Sequence, residues 1–358
     1  MANLLIITQK VDENDDLLGS FICWIDELAK YFNRVHVIAL AKGAHHLPKN
    51  VFVHSLGKEY SRSKLLQFFK LYYLLLRFVP SSVGVFAHMS PIFAIAAAPI
   101  TKLAGKKLIL WYLHRSLTTK LKLANFLSDY VVTAAKESLN LKSGKIIELG
   151  HGIDLNFFKA ERNWAVSPNG KLKFLSVGRI SPIKNYETLL AAAKILKDRE
   201  IDFEIKIVGR PIMKYDFPYF ESLRSLIQKY DLRNYIQFLG MVPYKKIPPL
   251  YQGTDLMINL APKGGLDRTV LEAMATRMLI LTSNMAFKQS LGQYADNLIF
   301  KYGDSSNLAD KILKLMNLPP AEKQKRSEFL FHSVSENHNL EKLIERIVGL
   351  YKINKKRP

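Results

Sequence analysis

The amino-acid sequence predicts an α/β protein made of two doubly wound halves, each with a parallel sheet covered by helices. Short apolar runs alternate with helix-like segments along the whole chain, a pattern that is typical of parallel α/β architecture. A length of 358 residues is sufficient for two domains. The polar stretch at residues 159–173 contains Pro168, Asn169 and Gly170 and divides the alternation into two series.

The first series predicts a domain over residues 1–158. We expect its strands at residues 4–8, 35–39, 51–55, 83–88, 107–112, 130–133 and 146–148. We expect its helices at residues 20–31, 63–78, 91–104 and 117–126.

The second series predicts a domain over residues 159–358. We expect its strands at residues 174–177, 203–208, 236–239, 256–260 and 279–282. We expect its helices at residues 186–197, 219–230, 244–252, 269–276 and 305–316, with a helical chain end at 321–351. Two such domains facing across a cleft would direct strand ends and helix N-termini toward a shared ligand.

The composition limits the class of protein. The chain carries 52 Lys and Arg against 31 Asp and Glu, a net charge of +21, which implies an anionic partner such as a phosphorylated substrate, an anionic membrane or nucleic acid. A hydrophobic content of 48% excludes general disorder. The single cysteine, Cys23, excludes a disulfide scaffold and any multi-cysteine metal site.

The apolar segments favour a chain that does not cross a membrane. The first apolar run lacks a basic leader, so we expect a buried strand there rather than a secretory signal. No run reaches the roughly 18 apolar residues of a spanning helix. Residues 58–79, however, combine many Leu and aromatic side chains with a single acid, Glu59, and five cations: Lys58, Arg62, Lys64, Lys70 and Arg77. Such a helix either lies in a membrane interface or is a core helix with its cations in water.

Residues 174–190 carry the first motif with chemical content. A strand ends at Val177, Gly178 turns the chain, and the cations Arg179 and Lys184 follow before a helix begins. Glycine, cations and the free N–H groups of a helix N-terminus together suit a diphosphate. Two solvated charges on an ordinary loop are the alternative interpretation.

Residues 256–284 carry the second motif. A strand runs into the pair Gly264–Gly265, and a helix beginning near Thr269 carries Glu272 in its first turn, where a carboxylate is favoured by the helix dipole. Its two oxygens are also able to accept hydrogen bonds from two vicinal hydroxyls, as on a ribose. A carboxylate that only complements the helix dipole is the alternative.

Three segments together resemble the family-4 glycosyltransferases of the GT-B fold: VGRISPIK, GGLDRTVLEAMATRMLILTSN and the earlier HGIDLNFF. The opening segment ITQKVDENDDLLGSFICWIDELAKYF also resembles the first strand, loop and helix of that family. The resemblance implies two Rossmann-like domains, the first binding the acceptor and the second the nucleotide sugar, with the C-terminal helices crossing back to the first domain.

The resemblance also implies roles for particular residues. Arg179 and Lys184 would hold the donor diphosphate and stabilise the charge on the departing nucleotide. Glu272 would bind the donor ribose, and His114 would contact the reacting sugar from the end of its strand. The remaining donor-binding positions implied by the resemblance are Gly19, Gly178, Met241, Val242, Gly265, Leu266 and Asp267.

One position departs from the family pattern of two glutamates separated by seven residues. Glu272 matches the second glutamate, but Gly264 stands where the first is expected. That glutamate normally contacts the transferred sugar, so the donor sugar is left open. Asp267 is one candidate for a replacement carboxylate; Lys263 with the N–H groups of Gly265 and Leu266 is another.

The resemblance implies a retaining transfer of a sugar from a nucleotide-diphosphate donor, with UDP, GDP and ADP all open, to a glycan or lipid-linked acceptor. Leaving phosphate and incoming hydroxyl would lie on one face of the sugar. No cofactor or metal is expected, because cations and helix N-termini replace a metal ion. We interpret the acidic run Asp12, Glu13, Asp15 and Asp16 as a solvated loop. The expected location is cytoplasmic and peripheral, on the inner face of an anionic membrane.

The sequence features also bear on four other functions. A nucleotide-sugar epimerase of the same fold would need an added carboxylate pair, which the sequence does not show. A dinucleotide-dependent oxidoreductase is disfavoured because the first strand is not followed by Gly-x-Gly-x-x-Gly. A nucleic-acid-binding protein or a non-catalytic membrane protein would account for the charge alone. The charge is shared between the halves, +8 over residues 1–158 and +13 over residues 159–358, which does not favour nucleic acid.

Overall fold

A computed structural model of the chain describes residues 2–162, 164, 170–262 and 264–351. These residues form two compact units. The first contains the chain up to Asp154, the short segment Pro243–Lys245 and the C-terminal part from His338 onward. The second contains Leu155–Val242 and Lys246–Asn337. The sequence placed the boundary after residue 158 and assigned the whole C-terminal end to the second domain.

The first unit is built on a seven-stranded parallel sheet with the strand order β3-β2-β1-β4-β5-β6-β7. Its elements up to the last strand are β1 (Asn3–Val11), α1 (Phe21–Ala29), β2 (Arg34–Lys42), β3 (Val51–Ser55), α2 (Lys64–Phe78), β4 (Ser82–His88), α3 (Pro91–Leu103), β5 (Lys107–Trp111), α4 (Thr119–Leu127), β6 (Tyr130–Thr133) and β7 (Ile146–Glu148).

The second unit is built on a five-stranded parallel sheet with the strand order β10-β9-β8-β11-β12. Its elements are β8 (Leu172–Val177), α5 (Tyr186–Asp198), β9 (Phe203–Val208), α6 (Asp216–Lys229), β10 (Ile236–Gly240), α7 (Ile247–Gln252), β11 (Leu256–Asn259), α8 (Arg268–Ala275), β12 (Leu279–Thr282), α9 (Lys288–Leu291), α10 (Ala295–Leu298), α11 (Ser305–Met316) and α12 (Pro320–Asn337). The last helix of the chain, α13 (Leu340–Leu350), belongs to the first unit.

The first sheet has an apolar layer on each face, because alternate residues of a strand point to opposite sides. In β1, Leu4 and Ile6 join a core with α1 and α13, whereas Leu5 and Ile7 join a core with α2, α3 and α4. All four side chains are at most 1% exposed. The helices α2, α3 and α4 therefore form one layer over one face of this sheet.

The α/β fold of Rossmann-like type predicted from the sequence is confirmed. The long helical segment expected at residues 321–351 is instead two helices. The side chain of Asn339 accepts a hydrogen bond from the N–H of Lys342 (3.1 Å) and so begins α13. The return of α13 to the first unit agrees with what the resemblance implies. The short helices α9 and α10 had no counterpart in the sequence prediction.

Burial of His338, which lies just before α13, makes the free energy of unfolding of the first unit depend on pH. The ring is buried, and this burial lowers its pKa to about 4 from an ordinary value of 6.5. Its Nδ1 atom accepts the N–H of His151 at 3.3 Å, which requires a neutral ring. As the pH falls below about 6.5, the unfolded chain takes up the proton first, so the free energy of unfolding decreases.

We expect the free energy of unfolding, measured by urea titration, to decrease between about pH 7 and about pH 5. In His338→Gln this decrease should be smaller by an amount on the order of 1 kcal/mol. The exposed residue His332 supplies the matched control, His332→Gln, which should retain the wild-type pH dependence. Equal pH slopes in His338→Gln and wild type would contradict the assignment. Any slope left in the variant reports other groups such as His54, whose pKa burial also lowers to about 4.

Candidate functional site

The turn that follows β8 is the centre of the candidate site in the second unit. The N–H of Gly178 donates to the carbonyl of Val208 (2.9 Å), and the N–H of Gly209 donates to the carbonyl of Gly240 (2.8 Å). An added Cβ at Gly209 would lie 1.9 Å from the carbonyl oxygen of Gly178. The close approach of these two turns excludes a side chain at Gly209 and brings the ends of β8, β9 and β10 side by side.

Arg179 lies at the start of this turn and faces a buried carboxylate. Its Nε atom is 3.7 Å from Oδ2 of Asp216, the first residue of α6. Asp216 is completely buried, and the same oxygen accepts the N–H groups of Ile212 and Met213 at 3.1 and 2.9 Å. The carboxylate is thus fixed by the backbone, while the Arg179 side chain remains 35% exposed. The sequence analysis did not identify Asp216.

Lys184 is held by a second carboxylate. Its Nζ atom lies 3.0 and 3.2 Å from the two oxygens of Asp267, which directly precedes α8. The side-chain amide of Asn259 donates to the same carboxylate (2.6 Å), and the hydroxyl of Thr282 donates to Oδ1 of Asn259 (3.0 Å). A chain of hydrogen bonds from β12 through β11 therefore positions Asp267 on the lysine.

The N-terminus of α5 differs from the expectation of free N–H groups facing the loop. The N–H of Tyr186 donates to the hydroxyl of Tyr219 (2.8 Å), and that hydroxyl donates to the carboxylate of Glu187. Burial and the neighbouring Glu187 raise the pKa of the Tyr219 hydroxyl. The expectation of a free N–H was wrong for Tyr186, because the hydroxyl of Tyr219 on α6 accepts that N–H.

Glu272 lies in the second turn of α8, not in the first as the sequence predicted, because the helix begins at Arg268 and has no acidic residue in its first turn. It is 3% exposed. Its oxygens accept hydrogen bonds from Nε of Arg268 (2.9 Å) and from the hydroxyl of Tyr251 (3.2 Å). These partners orient the carboxylate within the unit.

The loop between β11 and α8 has open space where the family glutamate is expected. An ideal Cβ on Gly264 would meet no atom within 4 Å, although its φ of +129° is unfavourable for other residues. Gly265 is fixed by the amide of Asn284, which donates to its carbonyl oxygen (3.1 Å), and Leu266 is buried. Asp267 carries the carboxylate nearest to this loop, but it contacts Lys184. Lys263 lies outside the described residues.

Met241 and Val242 directly follow β10, and Met241 is exposed. All of the following predicted positions lie in the second unit, in loops that follow its strands or on α8: Gly178, Arg179, Lys184, Met241, Val242, Gly265, Leu266, Asp267 and Glu272.

The other two predicted positions, Gly19 and His114, lie in loops of the first unit. An added Cβ at Gly19 would be 2.4 Å from the carbonyl oxygen of Asp15, so only glycine fits there. His114 is exposed after β5, and its Nδ1 accepts the N–H of Ser116 (3.1 Å). Both loops follow the carboxyl ends of strands, where parallel sheets commonly bind ligands.

The acidic run after β1 is ion-paired rather than only solvated. Lys10 lies 2.9 Å from Asp12 and 2.8 Å from Asp15. Glu13 lies 2.9 Å from His46 and 3.1 Å from Lys245, and these hydrogen bonds lower the pKa of Glu13. Among the described residues, no group of three or more His, Cys, Asp or Glu side chains is arranged to hold a metal ion.

The helix α2 buries only a narrow stripe, formed by Leu71, Leu74, Leu75 and Phe78. Six other large apolar side chains of α2 are between 52% and 66% exposed: Leu65, Leu66, Phe68, Phe69, Tyr73 and Leu76. Of the five cations singled out in the sequence, Lys58, Arg62, Lys64 and Arg77 are exposed and Lys70 is half-buried. No helix in the described ranges has the length and apolar character to cross a bilayer.

The second unit contains the segment that matches a family model of known proteins. The family model described as "Glycosyl transferases group 1" matches residues 157–328. A 2-deoxystreptamine N-acetyl-D-glucosaminyltransferase of Niallia circulans is 24% identical over 53% of this chain and 49% of its own length. An alpha-monoglucosyldiacylglycerol synthase of Streptococcus pneumoniae is 26% identical over 47% of this chain and 37% of its own. The matched stretches span half or less of these relatives.

Solved structures show the same fold over nearly the whole chain. The Anabaena protein HepE in complex with UDP and glucose superposes with a TM-score of 0.74 at 17% identity, covering 98% of this chain and 100% of that one. A glycosyltransferase from Rickettsia africae superposes with a TM-score of 0.75 at 17% identity, covering 98% of each chain. The fold of this chain is therefore that of the GT-B glycosyltransferase structures.

The Lys184–Asp267 ion pair predicts how the site responds to an anion. A diphosphate on Lys184 has to displace or share the Asp267 carboxylate. Asp267→Asn keeps the shape and one acceptor but removes the charge, so we expect pyrophosphate to bind roughly two- to fivefold more tightly, measured by calorimetry. In a Lys184→Gln background the same change should have no effect. Weaker binding in Asp267→Asn would instead show that the carboxylate positions the lysine.

Proposed function

We propose that the chain is a retaining glycosyltransferase, because residues 157–328 match the family model described as "Glycosyl transferases group 1". It transfers a sugar from a nucleotide-diphosphate donor to a hydroxyl of a glycan or lipid-linked acceptor. The observation that carries the proposal is the pair of cations, Arg179 and Lys184, at the carboxyl end of β8 within the matched segment. Structures with the same fold have been solved with UDP, which supports a nucleotide-diphosphate donor here.

The geometry supports charge stabilisation as the main catalytic contribution. Negative charge develops on the leaving phosphate as the bond to the sugar breaks. Arg179 and Lys184 stabilise that charge: Asp216 orients the guanidinium of Arg179 before the reaction, and Asp267 holds Lys184 in the loop until the phosphate displaces or shares it. Glu272, oriented by Arg268 and Tyr251, accepts hydrogen bonds from the donor ribose. The incoming hydroxyl attacks the anomeric carbon from the face that the phosphate leaves, and its proton passes to the departing phosphate oxygen, without a metal ion.

The acceptor is bound by the first unit. His114 contacts the reacting sugar, and Gly19 lets the backbone approach the donor. The exposed apolar residues of α2 and its flanking cations support a peripheral contact with an anionic membrane, on the cytoplasmic side, where a lipid-linked acceptor is presented. A relative named alpha-monoglucosyldiacylglycerol synthase is consistent with a lipid acceptor.

We expect Arg179→Ala, Lys184→Ala and Glu272→Gln each to weaken nucleoside-diphosphate binding by roughly ten- to hundredfold, because each removes a hydrogen bond to or from a charged group. Thermal-shift screening of wild type against UDP, GDP and ADP sugars first identifies the nucleotide, since a bound ligand raises the melting temperature. Calorimetry on the variants then measures the affinity.

The control is Lys229→Ala, an exposed cation at the opposite end of α6. It should leave affinity unchanged. If all three site variants bind as wild type does, the site assignment is wrong. Incubation with the donor alone tests the epimerase alternative. Conversion of the donor sugar in the absence of an acceptor would identify the protein as an epimerase.

The membrane contact of α2 is tested separately. Replacing Lys58, Arg62, Lys64, Lys70 and Arg77 by Gln should abolish salt-sensitive binding to vesicles of phosphatidylcholine and phosphatidylglycerol, because each cation near an anionic surface contributes about 1 kcal/mol. Co-sedimentation measures the bound fraction. Replacing five cations of the second unit, Lys194, Lys206, Lys229, Arg233 and Lys301, gives a charge-matched control that should bind as wild type does. Salt-independent or unchanged binding in the α2 variant argues against this contact.

A further inference from the structure

The layer formed by α2, α3 and α4 has an unusual charge composition. Residues 60–128, which include all three helices, contain ten Lys and Arg and no Asp or Glu. The three helices share one core against one face of the first sheet, so their outer surfaces face the same side of the unit. The positive charge on α2 therefore continues to the end of α3, at Lys102, and onto α4, at Lys120 and Lys122.

The layer also exposes large apolar side chains beyond α2. Leu103, the last residue of α3, is 89% exposed, and Phe126 near the end of α4 is 70% exposed. The ammonium of Lys102 lies 5.7 Å from the centre of the Phe126 ring, which places these helix ends next to each other. Leu123 on α4 is 46% exposed. Lys120 and Lys122 on the same helix are exposed.

We propose that the outer face of this layer is a single docking surface for an anionic lipid bilayer, in which Leu103 and Phe126 form a second apolar contact. This inference rests on the proposed membrane contact of α2 and extends it. Apolar side chains surrounded by cations without any carboxylate match a surface of phosphate headgroups above acyl chains. One helix in the interface leaves the protein free to roll about it, whereas a second contact on α3 and α4 fixes the plane of the layer.

Two other occupants fit the surface less well. A second copy of the chain would bring the exposed cations of two such layers, among them Lys102, Lys120 and Lys122, face to face, with no carboxylate in residues 60–128 to compensate the repulsion. Nucleic acid would match the charge but not exposed aliphatic residues such as Leu103, Leu65 and Leu76.

The test uses the full chain with Leu103→Ser and Phe126→Ser together. Both side chains are mainly in solvent, so the fold should tolerate the changes, which circular dichroism checks. We expect the affinity for vesicles of phosphatidylcholine and phosphatidylglycerol to fall by at least about tenfold, since the apolar area buried in the bilayer is lost. The matched control is Phe217→Ser with Tyr302→Ser, two exposed residues of the second unit, which should bind as wild type does.

A charge arm separates apolar insertion from attraction to headgroups. Lys102→Gln, Lys120→Gln and Lys122→Gln together should weaken binding at low salt and reduce its dependence on ionic strength. Unchanged vesicle affinity in Leu103→Ser/Phe126→Ser, while a Leu65→Ser/Phe69→Ser variant of α2 loses binding, overturns the second contact. The proposal is also overturned if the wild-type chain does not bind vesicles but forms dimers that Leu103→Ser/Phe126→Ser disrupts. Nucleotide binding on the same samples reports the enzymatic proposal independently.

Discussion

Two cations at the end of one strand require anionic partners, and this requirement organises the candidate site. The turns after β8 and β9 approach so closely that Gly209 has no room for a side chain. Arg179 and Lys184 follow within the same loop, between β8 and α5. Without a ligand, like charges in such a site are unfavourable unless carboxylates compensate them. The protein supplies one carboxylate for each cation.

The two carboxylates have different physical roles. Asp216 is completely buried and fixed by two backbone N–H groups, and it lies 3.7 Å from Arg179. That distance and rigidity orient the guanidinium without occupying it fully. Asp267 is partly exposed and contacts Lys184 with both oxygens. It is therefore a better competitor for an incoming phosphate.

The sequence was informative where one local pattern decides the structure. Apolar periodicity located strands such as β3, β6 and β12 to the residue, because buried parallel strands are short continuous apolar runs between turns. It located Arg179 and Lys184 because strand, glycine and cations are contiguous. It missed Asp216, which reaches Arg179 only because β9 pairs with β8 and places the start of α6 beside the turn. The Tyr219 hydroxyl at the N-terminus of α5 depends on the same long-range packing.

The net charge of +21 has two physically different components. In the second unit, the cations of the site are neutralised by carboxylates and add little to the distant field. In the first half, residues 1–158 carry only +8, yet residues 60–128 alone carry ten cations and no acid. The remainder of that half is therefore slightly acidic, with nine cations against eleven acids. The net positive charge of residues 1–158 therefore comes entirely from the segment that carries α2, α3 and α4, and the proposed bilayer contact depends on this segment.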